Sequence, residues 1–286
     1  MTVQRTYTFA DGKKLTLGKR TLIMGILNIT PDSFSDGGKF NNRDAALRHL
    51  EKMVAAGADI IDVGAESSRP GFKPMPAQEE MDRLLPLLEE ILQNSPVPVS
   101  VDTFKAATAR EAARCGAHIL NDIWGLQYAE EPGAMAKAAA EFNLPVVVMH
   151  NQQGTNYDGD IIAAMQNFFR ESLHIGLAAG MKKEQFILDP GIGFGKTAEQ
   201  NLEVLRRQEE LLQLDGEEYP LLLAASRKSF IGKTLNLPVE ERMEATGAAC
   251  VIGITKGAGI VRVHDVAPIA RMCRMTDVIL RSGENG

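Results

Sequence analysis

The sequence predicts an α/β fold, a (β/α)8 or TIM barrel preceded by a β-hairpin, and three observations lead there. Eight apolar stretches of strand length recur along the 286 residues, each followed by a stretch with helical period. The transitions between them repeat: "AAGADIIDVG", "ARCGAHILND", "AAGMKKEQFILD" and "TKGAGIVRVHD" each run from a helix end through Gly into an apolar strand and a polar residue. No composition shift, Pro/Gly/Ser linker or low-complexity segment marks a second domain, so 1–286 reads as one domain. A doubly wound open sheet uses the same units, but eight is the number that closes a barrel.

The elements follow in order. "RTYTFADGKKLTLG", at about 5–18, reads as two short strands around an Asp11-Gly12 turn. The barrel then occupies about 21–283, with strands expected near 21–27, 59–63, 98–102, 117–121, 145–149, 185–189, 221–225 and 260–263. The first helix is expected from about Arg43, with Asn41 as its cap and Asp44 three residues on. Ala46, Leu47, Leu50, Met53 and Val54 fall on its inner face. Met81, Leu84, Leu85, Leu88, Ile91 and Leu92 do the same in the second helix, where Pro86 should kink the helix or mark its start. Gly57, Gly116, Gly180 and Gly257 are expected as left-handed helix stops.

Composition narrows the function. With 44% apolar and 24% charged residues the chain is an ordinary globular sequence. A net charge of -6 without a basic stripe argues against nucleic acid as a partner. Cys115, Cys250 and Cys273 have no metal-ligand spacing, which suits a reducing compartment. There is no apolar run of membrane-spanning length and no signal segment, so a cytoplasmic location is expected, with no membrane partner.

In such barrels the site lies at the carboxyl ends of the strands. Those ends carry Asn28, Asp62 with Glu66, Asp102, Asn121, His150, Asp189, Ser226-Arg227-Lys228 and Arg262-His264-Asp265. Asp102 and Asp265 can be read simply as helix caps, but His, Lys and Arg do not cap helix N-termini, and so many converging polar ends point to a ligand. Asp102, Asn121 and Asp189 suit a flat heterocycle with amino and ring N–H donors. Arg262, His264, Asn28 and Arg69 suit a phosphate. The segments "NITPDSFSDGGKF" and "ESSRPGFKPMP" are long for strand–helix connections and read as lids.

"MGILNITPDSFSDGG", "DVGAESSRPG", "VDT", "NDI", "MHNQ", "DPGIGFGK", "ASRKSF" and "VRVHDV" together resemble, in order and over essentially the whole chain, the motif set of the dihydropteroate synthase family. Ser68 stands where Thr is common, keeping the hydroxyl and losing the methyl. The resemblance implies a transferase of folate biosynthesis that joins 6-hydroxymethyl-7,8-dihydropterin diphosphate to p-aminobenzoate. By position it assigns the pterin to Asp102, Asn121, Asp189 and Lys228, and the diphosphate to Asn28, Ser68, Arg69, Arg262 and His264. It assigns Mg2+ to Asn28, and p-aminobenzoate to Phe34, Arg69, Pro70, Phe194 and Ser229. Arg262, His264, Lys228 and Asp36 are the catalytic candidates. An electron-rich pterin can carry the charge left on its exocyclic CH2 when pyrophosphate departs, so no protein nucleophile is required.

Other readings use the same barrel: a methyltetrahydrofolate methyltransferase, a pterin-binding paralogue without activity, or a barrel with an unrelated ligand. The "ESSRPG" and "SRKSF" motifs speak against the first, and retention of Arg262 and His264 speaks against the second. The segment "EERMEATGAACVIGITK" is apolar on nearly every face, so one side should meet the barrel and the other a second copy, in line with the dimers of the family. A homodimer through 240–256 and 266–282 is expected.

Overall fold

The computed structural model describes residues 3–29, 39–66 and 74–281. Two strands, β1 (Arg5–Thr8) and β2 (Lys14–Leu17), form an antiparallel hairpin. Eight parallel strands close into a barrel: β3 (Leu22–Asn28), β4 (Ile60–Gly64), β5 (Val99–Asp102), β6 (Ile119–Asp122), β7 (Val146–Met149), β8 (Phe186–Asp189), β11 (Leu221–Leu223) and β12 (Ala258–Val263). A small ribbon, β9 (Gln213–Leu214) with β10 (Glu217–Glu218), lies between β8 and β11 in the chain.

The connecting helices are α1 (Lys39–Ala55), α2 (Ala77–Asn94), α3 (Ala106–Cys115), α4 (Ala134–Glu141), α5 (Ile161–Ala178) and α6 (Ala198–Arg206). Two helices, α7 (Ser229–Leu235) and α8 (Met243–Thr255), separate β11 from β12, and α9 (Val266–Arg281) follows β12. The four expected glycine stops all have left-handed backbone: Gly57 (φ +100), Gly116 (φ +105), Gly180 (φ +97) and Gly257 (φ +91).

One expected helix start is corrected, and one of the two readings of Pro86 is excluded. α1 begins at Lys39, so Asn41 lies inside the first turn and is not its cap. A polar Asn can sit at either place, and the pattern alone sets a helix start only to within a turn. Pro86 neither starts nor ends α2, which runs through it. Its ring is on the exposed face, where water can solvate the carbonyl one turn back that lost its N–H partner.

The barrel interior explains why the polar residues converge. Ile60, Ile119, Ile187 and Ile260 form one buried inner cluster with Met24, Val147 and Leu222. Strand side chains alternate between faces, so the residue two places on points inward again, one layer nearer the carboxyl end. Those residues are Asp62, Asn121, Asp189 and Arg262. Leu15 and Leu17 of the hairpin join the same cluster and close the opposite end. There His118 touches Asp11 at 3.0 Å and stacks edge-on against Phe9. The apolar layer makes a floor, the polar layer a mouth.

Candidate active site

Arg262 is the centre of the mouth. Its Nε donates to Asp62 Oδ2 at 2.6 Å and its Nη2 to Asp102 Oδ2 at 2.7 Å. Asp62 Oδ2 also accepts from Asn121 Nδ2 at 3.1 Å, while Asp62 Oδ1 is buried and has no partner among the described residues. Asp102 and Asn121 are opposite one another in the β5–β6 register. Asp102, which the sequence reading placed in a heterocycle half, and Arg262, which it placed in a phosphate half, are thus in direct contact.

Two carboxylates share this one guanidinium. Burial raises the Asp102 pKa to about 7, with Arg262 opposing the rise and the Asp62 charge adding to it. Burial would also weaken the charge on Arg262, but the two carboxylates more than offset this and raise its pKa. Asp102 is not a helix cap, since α3 starts at Ala106 with Lys105 in the cap position.

Across the mouth, Asp189 accepts from the Gly191 N–H at 2.7 Å, and burial raises its pKa while Lys228 opposes. Lys228 Nζ donates to the Ile192 carbonyl and lies 4.7 Å from the centre of the Phe194 ring. Burial lowers the Lys228 pKa to about 8, partly offset by Asp189. Lys228 is aimed by its neighbour: Arg227 holds a left-handed backbone (φ +56), its N–H bonded to Thr246 Oγ1 and its carbonyl to Arg242. The Arg227 side chain makes two bonds to Asp265, at 2.8 and 2.6 Å, so these two members of the ring hold each other.

His264 sits beside Ser226. Ser226 Oγ accepts the His264 N–H at 3.2 Å and lies 3.0 Å from Nδ1. Asn28 is exposed at the end of β3, with Gly64 beside it in register. Ser229 is exposed at the start of α7.

Two ring members are corrected. Glu66 is buried and taken up by partners of its own: its carboxylate pairs with Lys105 and accepts the Met75 N–H at 2.7 Å. Lys105 also reaches Glu80 at 3.1 Å, and Glu80 accepts from Thr108. His150 turns to Lys196, whose Nζ lies 2.9 Å from Nδ1. Both corrections have one cause: a charged group in the apolar wall needs a partner of opposite character, and the strand pattern does not say which. Asp62 and Lys196 were passed over when roles were assigned. A charge inside a strand that is otherwise apolar is the signal that marks Asp62. Phe34, Asp36, Ser68, Arg69 and Pro70, and the lid reading of both long segments, fall outside the described residues.

Among the described residues, no helix is long and apolar enough to cross a membrane. The family model described as "Pterin binding enzyme" matches residues 24–264. A dihydropteroate synthase of Clostridium beijerinckii is 50% identical over 270 residues, covering 94% of this chain and 98% of that protein. One of Bacillus subtilis is 51% identical over 269 residues, covering 94% and 92%. A solved structure of dihydropteroate synthase from Clostridium difficile, in the presence of pteroic acid, aligns with TM-score 0.88 at 50% identity, covering 93% of this chain and 98% of that one. The Xanthomonas albilineans dihydropteroate synthase with 4-aminobenzoic acid gives TM-score 0.88 at 35% identity, covering 96% and 99%. Matches of this identity over nearly the full length of both partners show that this chain belongs to the dihydropteroate synthase family of pterin-binding enzymes.

Proposed function

We propose that the mouth divides the reaction of this chain between a pterin half and a leaving-group half. The reaction joins 6-hydroxymethyl-7,8-dihydropterin diphosphate and p-aminobenzoate into 7,8-dihydropteroate and pyrophosphate. Asp102, Asn121 and Asp189 accept or exchange hydrogen bonds with the pterin edge, and Lys228 closes the other side of the ring. The observation that carries this reading is the contact of Arg262 with both Asp62 and Asp102. It puts a fixed cation beside the acids that receive the heterocycle, where the exocyclic CH2–O bond must break.

In that step the C–O bond cleaves and its electron pair leaves with pyrophosphate. Arg262 and His264 stabilise the charge that grows there. The amine nitrogen then attacks the CH2 cation, and its extra proton passes to water or pyrophosphate. Phe194 and Ser229, with Phe34, Arg69 and Pro70, are proposed to hold p-aminobenzoate. The diphosphate is assigned to Asn28, Ser68, Arg69, Arg262 and His264, and Asp36 is kept as a catalytic candidate. Asn28 fits a magnesium ion carried by the diphosphate: it offers an exposed hard oxygen, and such ions take only one or two protein oxygens beside phosphate and water. When bound, the ion supplies further positive charge to the leaving group.

A second copy is proposed to cover α8 and α9. Met275, Val278 and Ile279 are 60–62% exposed and line one face of α9, with Leu280 and Ile252 of α8 also exposed. The three cysteines are free, which fits the reducing cytoplasm proposed as its location.

Incubation of the protein with the pterin diphosphate, p-aminobenzoate and Mg2+ should yield dihydropteroate and pyrophosphate. No product from folded protein would sink the assignment of this chemistry to the mouth. Sedimentation should show a dimer at micromolar concentration, and a monomer there would remove the α8–α9 interface.

A further inference from the structure

The turn after β8 is held by a lysine that the reaction as described does not use. Lys196 is 8% exposed. Its Nζ has three acceptors at hydrogen-bond distance: His150 Nδ1 at 2.9 Å, the Gly191 carbonyl at 3.1 Å and the Phe194 carbonyl at 3.1 Å. Burial lowers the Lys196 pKa to about 7, with Asp189 opposing, and in its ammonium form its three N–H groups match these three acceptors. His150 suits the acceptor role, because burial and the Lys196 charge keep its pKa well below the ordinary histidine value. The imidazole is fixed in turn by Phe168, edge-on at 4.9 Å, and by Tyr157, stacked at 6.0 Å. Tyr157 also donates to the Gly195 carbonyl at 2.8 Å.

The turn has little freedom to settle elsewhere. Gly191 has φ +64, and a Cβ there would overlap the His150 carbonyl oxygen, so backbone packs on backbone. Gly193 has φ +87 and its N–H donates to Asn201 Oδ1 at 2.6 Å. Phe194 is caught between two lysines, Lys196 on its carbonyl and Lys228 against its ring.

We propose that Lys196, anchored on His150, is a positioning residue that sets the place of the Phe194 ring and thereby the affinity of the site for p-aminobenzoate. It touches no reacting atom. It acts through the carbonyls at the two ends of the Gly191–Phe194 turn, which carry Phe194 and, through the Gly191 N–H, brace Asp189. The proposal rests on the reading that Phe194 lines the amine pocket.

The test is a double-mutant cycle on the KM for p-aminobenzoate, with pterin affinity measured alongside. Lys196→Met leaves the Phe194 carbonyl and the His150 imidazole without their lysine donor, and the Gly191 carbonyl with the Phe194 N–H alone. If the productive turn geometry falls to about a tenth of the population, KM for the amine rises about tenfold. Pterin affinity should fall by less than the amine KM rises, because Asp102 and Asn121 stand on other strands and only Asp189 is braced by this turn. Lys196→Arg, which keeps donors in place, should recover part of the loss. In a Phe194→Ala background the Lys196→Met effect should vanish, because the group it positions is gone.

An additive effect in that background overturns the proposal, as does an unchanged amine KM in Lys196→Met. Should Lys196→Met fail to fold, His150→Leu cuts the anchor from the strand side and must raise the amine KM selectively, or the proposal falls. Failure of the pocket reading has a different signature: Phe194→Ala alone would leave the amine KM unchanged, and the positioning role would fall with it.

Discussion

Replacing Asp62 by Asn should move the acid limb of pterin binding to lower pH. Asp102 must be ionised to accept hydrogen bonds from the ring, and its pKa in the free protein is raised to about 7, first by burial and also by Asp62. A carboxyl with a raised pKa is protonated as pH falls through that value, so pterin affinity should decline below about pH 7. Asp62 and Asp102 accept from two neighbouring nitrogens, Nε and Nη2, of one guanidinium. Two such charges roughly 5 Å apart, at an effective dielectric of about 20, repel by about 3 kcal/mol, or about two pH units. Arg262 stays between them and screens part of this, leaving a shift of about one pH unit. Asp62→Asn keeps an oxygen where Arg262 Nε and Asn121 Nδ2 donate, so geometry survives while charge is lost.

The assay is calorimetry from pH 5 to 9 with a pterin lacking phosphates, which removes the titration of the diphosphate itself. Asp189 titrates too, but burial is the largest cause of its shift and Lys228 the largest charge acting on it, so loss of the Asp62 charge reports chiefly on Asp102. The parent should also lose affinity on the alkaline side as Lys228 deprotonates near its lowered value of about 8. An acid limb that stays in place in Asp62→Asn would refute the coupling of the two carboxylates through Arg262. No acid limb above pH 5 in the parent would refute the role of Asp102 as the titrating acceptor.

Arg262→Ala should lower turnover more than it weakens binding of a pterin without phosphates, since leaving-group charge grows towards the transition state; equal losses would indicate general disruption of the site. Gly253→Ala should destabilise the fold by roughly 1–3 kcal/mol in urea denaturation, because a Cβ there overlaps the fully buried Leu223 of β11. An unchanged midpoint would mean that α8 can move off the barrel. p-Aminobenzoate should bind poorly until the pterin diphosphate, or a pterin with pyrophosphate and Mg2+, is present, as expected if the first ligand orders the pocket for the second. A sulfonamide mimic should show the same order in calorimetry, and equal affinity with and without pyrophosphate would refute it.

The sequence by itself determined the barrel, the helix stops and the height of the functional layer. Each of these is local: strand length and helical period show within one unit, Gly116 and Gly257 mark their own stops, and alternation along a strand sets Asp62 two places above Ile60. Once eight units close, topology carries every strand end to one mouth without further information. Only the tertiary structure decided which polar groups there face a ligand and which serve one another. Asp62 meets Arg262 across 200 positions of chain, Lys196 meets His150 across 46, and Lys105 meets Glu66 across 39. Glu66 and Asp102 look alike in sequence, each an acid just past an apolar run. One pairs with Lys105 and the other with Arg262, because pairing depends on which side chains the closed barrel brings within hydrogen-bond reach, and that distance is not written in any single stretch of chain.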